Sequence, residues 1–232
     1  MSTDRNRQLP LDLGHQPGSS RDDLIVTPAN TEAVAMIDRW PDWPEPVVIL
    51  AGPRGAGKTH LGAIWRDLSG ASELDAKALG ADTITAAGSG PVFLDDADQP
   101  GLDEAGLFHL INAVKSAGTQ LLMTARRFPA AWRVSLPDLA SRLKAAATVE
   151  LREPDEMLLA GVITKLFADR QVEVEPHVVA FIVRRIERSL STAIRVVEKL
   201  DAAALEQKSR ISRGLAAQVV SALDEGQGEL DL

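Results

Sequence analysis

The stretch Gly52-Pro53-Arg54-Gly55-Ala56-Gly57-Lys58-Thr59 constrains this chain more than any other, because it satisfies G-x-x-x-x-G-K-[ST] without a mismatch. Its glycines allow positive φ, so successive backbone N–H groups can turn inward around a β-phosphate. Lys58 then reaches the β/γ oxygens and the Thr59 hydroxyl meets Mg²⁺. The apolar run Val47-Val48-Ile49-Leu50 before the loop and His60-Leu61-Gly62-Ala63-Ile64-Trp65 after it predict a strand and a helix. A helix there turns its positive N-terminus toward the phosphate. The octapeptide is therefore expected to bind a nucleotide.

The second signal is Val92-Phe93-Leu94-Asp95-Asp96, a buried strand running into two adjacent carboxylates. A Walker B element needs this pattern: Asp95 is expected to hold the Mg²⁺ shell and Asp96 to orient or deprotonate an attacking water. A strand over Gln120-Leu121-Leu122-Met123 is expected to end in Thr124, whose hydroxyl would sit between the two tips and bond water or the terminal phosphate.

Composition removes other classes. With 232 residues, 45% hydrophobic and 25% charged, the chain suits one α/β domain with a smaller companion. Zero cysteines exclude a disulfide framework, thiol catalysis and Cys-ligated zinc, and four scattered histidines suggest no metal site. The apolar runs are far short of a bilayer span and the N-terminus lacks a signal-like core, so a cytoplasmic location is expected. A formal charge of −8 argues against a broad DNA-binding field.

Taken in order, residues 1–23 read as a flexible arm, interrupted by Pro10, Gly14, Pro17 and Gly18. Within it Gln8-Leu9-Pro10-Leu11-Asp12-Leu13 places three leucines where no local core can take them, as in a short motif that orders in a partner's groove. Residues 24–153 are expected to form a parallel five-stranded sheet flanked by helices. Helices are expected over Thr31 to Trp40, Leu102 to Ser116 and Leu136 to Leu143, with only a short strand and a helical turn in 70–90. From residue 154 to 223 the pattern is helical throughout, with Pro176 in a first turn and Ser191 as a cap, giving a small all-α lid before a polar tail, 224–232. The tail repeats Q-x-x-L-D-L at Gln227 to Leu232. Either the match is coincidence, since Leu, Asp and Gln are common, or a second, weaker contact through it raises avidity toward a partner with repeated pockets.

P-loop, paired carboxylates, a polar strand end and a helical lid follow one another as in an AAA+ nucleotide-binding module. Ile25-Val26-Thr27-Pro28-Ala29-Asn30, Gly57-Lys58-Thr59-His60-Leu61, Asp95-Asp96 and Gln120-Leu121-Leu122-Met123-Thr124 resemble segments of the bacterial replication initiator DnaA, over about residues 24–223. DnaA continues past its lid into a helix-turn-helix domain, for which a chain ending at Leu232 is expected to have no room. It also lacks the leucine arm, which resembles the Q-L-x-L-x-L peptide that binds the bacterial sliding clamp. The combination resembles the Hda branch of the DnaA-related AAA+ family, the regulatory inactivators of DnaA.

That resemblance implies a clamp-bound, ADP-loaded protein that contacts ATP-DnaA and promotes its hydrolysis. It implies Ile25, Val26 and His60 as nucleotide contacts beside the P-loop, and Gln8, Leu9, Leu11, Asp12 and Leu13 as clamp contacts. It places Arg142, in Ser141-Arg142-Leu143, as an arginine finger acting in trans. At the family's sensor 2 arginine stands Ser191, with Arg195 one turn later as a candidate replacement. ADP or ATP with Mg²⁺ is expected as ligand, the clamp and DnaA as partners, and no direct sequence-specific DNA binding; homo-oligomerisation stays open. Two other readings stand beside this one: a self-sufficient ATPase such as a helicase loader, and an adaptor that binds nucleotide only for structure.

Overall fold

The structure, a computed structural model, describes residue 21 and residues 24–227. The arm motif of Gln8, Leu9, Leu11, Asp12 and Leu13, and the residues beyond Gln227, lie outside the described residues. The P-loop follows β1 (Val47–Ala51), an interior strand buried along its whole length. A strand of Val, Ile, Leu and Ala suits a parallel sheet covered on both faces. It pairs with β4 (Leu121–Ala125) on one side and β5 (Ala147–Glu150) on the other. β4 in turn pairs with β3 (Val92–Leu94), and β3 with β2 (Ser72–Leu74). The order is β2-β3-β4-β1-β5, with every pairing parallel.

Period-two alternation divides the strand side chains between two cores. Val48, Leu50, Phe93 and Leu122 meet Val34 and Ile37 of α1 (Thr31–Asp38) and Leu61, Ile64 and Trp65 of α2 (Lys58–Ser69). Ile49, Leu94 and Met123 meet the opposite layer: Ala87 of α3 (Ala81–Ser89), Leu107, Leu110, Ile111 and Val114 of α4 (Glu104–Ala117), and Leu139 and Leu143 of α5 (Pro137–Lys144). Four further helices, α6 (Glu156–Asp169), α7 (Pro176–Val183), α8 (Leu190–Gln207) and α9 (Arg213–Gln227), bury Ile163, Phe167, Ile182, Val196 and Leu200 among themselves, with no strand residue in that cluster. No helix among the described residues is long and apolar enough to cross a membrane.

Three local readings change. The 70–90 stretch holds a nine-residue helix, α3, where only a turn was expected. Thr85 and Ser89 donate their hydroxyls back to the carbonyls of Ala81 and Thr85, so polar residues that blurred the periodicity are satisfied within the helix. The cap of α8 is Ser189, not Ser191: its backbone is extended and its Oγ accepts the Thr192 N–H at 3.3 Å. Helix α9 runs past Leu223 to Gln227, into the segment expected to be tail.

Helix α4 lies so close to the segment before α3 that a Cβ at Gly106 would fall 2.5 Å from the Leu79 carbonyl oxygen. Gly106→Ala gains about 1 kcal/mol of helix propensity but forces a shift of packed backbone costing about 1–3 kcal/mol. Urea unfolding should show a lower midpoint for the variant; a higher one would mean that α4 yields freely.

Candidate functional site

The sheet order sets the C-terminal ends of β3, β4 and β1 side by side, the usual position of a ligand crevice in a parallel sheet. Here loops from those ends, the segment before α1, and helices α6 and α8 enclose a cavity of about 750 Å³. Arg54, Gly55, Ala56, Gly57, Lys58, Thr59 and His60 line it, while Gly52 and Pro53 do not. Gly57 and Gly55 have φ of 97° and 77°, conformations that turn consecutive N–H groups to one side. A Cβ at Gly55 would lie 2.2 Å from Ser189 Oγ. Its carbonyl accepts the Leu190 N–H at 2.8 Å, which fastens the loop to the start of α8.

Lys58 is 6% exposed. Its Nζ donates to the carbonyls of Gly52 and Pro53, 2.7 Å each. Burial holds this ammonium below the ordinary lysine range, and the carboxylates of Asp96 and Asp95 counter that in part. An ammonium so placed gains most from an anion arriving within reach.

The two carboxylates divide their tasks. Asp95 accepts the Thr59 hydroxyl at 3.0 Å and also the Thr124 hydroxyl. Asp96, at φ 50°, gives its N–H to Thr124 Oγ1 at 2.8 Å. Its Oδ2 accepts Gln99 Nε2 at 2.5 Å and lies 3.9 Å from Arg126 Nη2. The expectation for Thr124 needs correction: β4 continues to Ala125, so Thr124 lies inside the strand, fully buried, and its hydroxyl is spent on the Asp95-Asp96 turn. Among the described residues it positions the carboxylates and does not line the cavity.

At the other end Leu24, Ile25, Leu158, Val162, Leu166 and Ile194 give apolar surface, with Lys165 and Asp169 of α6 also in the lining. Asn30 sets this end: its Nδ2 donates to the Ile25 carbonyl and its Oδ1 accepts the Thr27 N–H, both at 2.8 Å. Val26, 45% exposed, lies outside the lining, unlike Ile25. From α8, Ser191 faces the cavity but Arg195 does not; its guanidinium donates to Thr192 Oγ1 at 3.2 Å. Arg142 is exposed on α5, also outside the lining.

Sequence reasoning gave no role to Asn30, Arg126 or the α6 wall. The i, i+4, i+8 spacing of Leu158, Val162 and Leu166 marked that face, although the same pattern serves an ordinary core. The lining offers the groups that a nucleotide and a phosphate-bound Mg²⁺ would use. Lys58 and the left-handed glycines can take phosphates, the apolar residues can take a base, and Thr59 of the lining, with Asp95 hydrogen-bonded to it from just outside, can supply the one or two protein oxygens that Mg²⁺ uses beside phosphate and water.

The fold is that of an AAA+ P-loop NTPase. No family model matches the chain. It is 27% identical over 225 residues to an uncharacterised protein of Haemophilus influenzae, covering 89% of this chain and 95% of that one. It is 29% identical over 237 residues to the chromosomal replication initiator protein DnaA of Sphingopyxis alaskensis, covering 89% of this chain and 52% of the initiator, so it spans about half of DnaA's length. Among solved structures, domain III of Thermotoga maritima DnaA superposes with a TM-score of 0.76 at 17% identity, over 89% of this chain and 97% of that one. AMPPCP-bound DnaA from Aquifex aeolicus gives 0.70 at 17% identity, over 82% and 67%. The RuvB Holliday junction branch migration motor of Thermotoga maritima gives 0.70 at 20%, over 89% and 72%.

Thr124→Val keeps the shape but leaves the Asp96 N–H and one Asp95 lone pair without their partner. It should cost about 1–3 kcal/mol in urea unfolding, and Thr124→Ser should restore most of that. Equal stability of all three proteins would mean that water replaces the hydroxyl.

Proposed function

We propose that this chain is a DnaA-related AAA+ regulator of chromosome replication that binds adenine nucleotide with Mg²⁺ and stimulates ATP hydrolysis by DnaA. The observation that carries the reading is the placement of Arg142, exposed on α5 and outside the chain's own nucleotide cavity. An arginine there is available to another protein's phosphates, where a finger in trans contributes about 10³ to 10⁵ in rate. In this reading residues 24–153 are the nucleotide-binding unit, 154–223 the lid and Gln8 to Leu13 the clamp anchor. Lys58 and the loop amides hold the phosphates, Thr59 and Asp95 the Mg²⁺, and Asp96 faces the attacking water. The leucines of the arm tether the protein to the sliding clamp and so to recently replicated DNA, and DnaA left with ADP is the product. The pair Asp95-Asp96 also supports a second reading, a self-sufficient ATPase, and one assay separates the two.

ATP hydrolysis by DnaA, measured with loaded clamp, should rise when this protein is added, and this protein alone should turn over little. Arg142→Ala should remove the stimulation while leaving nucleotide and clamp binding intact; stimulation equal to wild type would refute the finger. Brisk hydrolysis by this chain alone would select the second reading.

Lys58→Ala tests the site itself. ADP at a hundred times its Kd should stabilise the wild type by about 2.7 kcal/mol, seen as a rise in Tm, and should leave the variant's Tm unmoved.

A further inference from the structure

Among the described residues, Arg54, Lys58, Arg66, Arg126 and Lys165 bring positive charge to the cavity wall. Arg66 is paired with Glu73 and Lys165 with Asp169, and Arg54 rides exposed on the P-loop. Arg126 differs from all of these. It follows β4 directly, and its side chain is half exposed at 50%, with Asp96 3.9 Å away as its ion-pair partner.

What aims Arg126 is a carboxylate behind it. The Asp98 side chain, 2% exposed, accepts the N–H of Arg126 at 2.9 Å, the N–H of Arg127 at 3.2 Å and Arg127 Nε at 3.0 Å. Arg127 Nη2 closes the arrangement by donating to the Asp98 carbonyl at 3.0 Å. Two consecutive arginines are thus given different fates. Arg127 neutralises a buried anion, while Arg126 has its peptide pinned and its guanidinium left in the cavity.

We infer that Arg126 is a second phosphate-binding cation of this site, held against Asp96 until the terminal phosphate of a triphosphate replaces that carboxylate as its partner. The inference rests on the nucleotide reading proposed above and names the residue by which the site tells ATP from ADP. P-loop amides and Lys58 contact phosphates that both nucleotides share in large part, and Lys58 reaches toward the terminal one. Arg126 and Lys58 line the same cavity and Asp96 faces both, so Arg126 lies at that same end. The present partnership is easily exchanged, because a half-exposed ion pair at 3.9 Å is weakly held. A phosphate offers the guanidinium fork two charge-assisted hydrogen bonds in place of that distant contact. Since the peptide is already fixed by Asp98, little further ordering opposes the exchange. The exchange also releases Asp96 from Arg126, leaving it with Gln99 and the nearby Lys58 ammonium when the triphosphate is bound.

The test is the affinity of the full chain for ADP and for AMPPCP, each with Mg²⁺, in wild type, Arg126→Ala and Arg126→Lys. Both variants keep the backbone tie to Asp98, and circular dichroism checks that they fold. Arg126→Ala should lower the AMPPCP-to-ADP affinity ratio about tenfold, the loss of one charged bidentate contact. Arg126→Lys, with the charge but not the fork, should fall between. An unchanged ratio in both variants, or an equal loss for both nucleotides, overturns the assignment while the nucleotide site stands. A wild type that binds neither nucleotide removes the site and the assignment together.

Discussion

A single desolvated ammonium organises this molecule. Lys58 sits buried at the first turn of α2, giving two of its three donors to the carbonyls of Gly52 and Pro53 and faced by Asp95 and Asp96. A buried cation is costly without such partners, and they come from two different strand ends, with a third holding one of them. The carbonyls come from the loop after β1, the carboxylates from the turn after β3, and that turn is held by Thr124 of β4. Shifting any of the three strands would expose or unpair the charge, so the sheet order and the site are one constraint.

The remaining wall comes from the helical segment, and it is attached at a defined point. The hydrogen bond from Leu190 N–H to the Gly55 carbonyl, with Ser189 packed where a Gly55 side chain would be, makes the start of α8 part of the loop. On the same side Gly161 of α6 lets Ile25 approach, since a Cβ there would fall 2.9 Å from its Cδ1. Two glycines far apart in sequence therefore serve one purpose. They let the helices close over the cavity at backbone distance, one at the phosphate end and one at the apolar end.

Much of this was legible in the amino-acid sequence. The P-loop octapeptide and the Val92-Phe93-Leu94-Asp95-Asp96 run are local signals in which spacing alone encodes geometry, and they lie where the reading put them. The sheet, too, followed from apolar runs too short for helices. What escaped was set by tertiary contacts. Thr124 reads as a strand tip because nothing local shows that Ala125 pairs with Ala51 and extends the ladder by one residue. Arg126 and Arg127 are indistinguishable as letters, and only the buried Asp98, arriving from another loop, separates them. Arg195 is on the expected helix but turned toward Thr192, a rotation of less than one turn that periodicity cannot resolve. Ser189 outcompeted Ser191 as a cap because the backbone is still extended there.

The strand that carries the P-loop has no ladder partner near it in sequence. β1 ends at Ala51, yet it is bonded only to β4, beginning at Leu121, and β5, beginning at Ala147. Such pairing is non-local and closes late, after the chain between has been made. During synthesis, a nascent chain shorter than about 120 residues holds the whole phosphate-binding sequence without the strands that shape it. The place of β1 between two late strands thus makes the loop encoded early among the last parts to take form, and ties its appearance to the completion of the sheet.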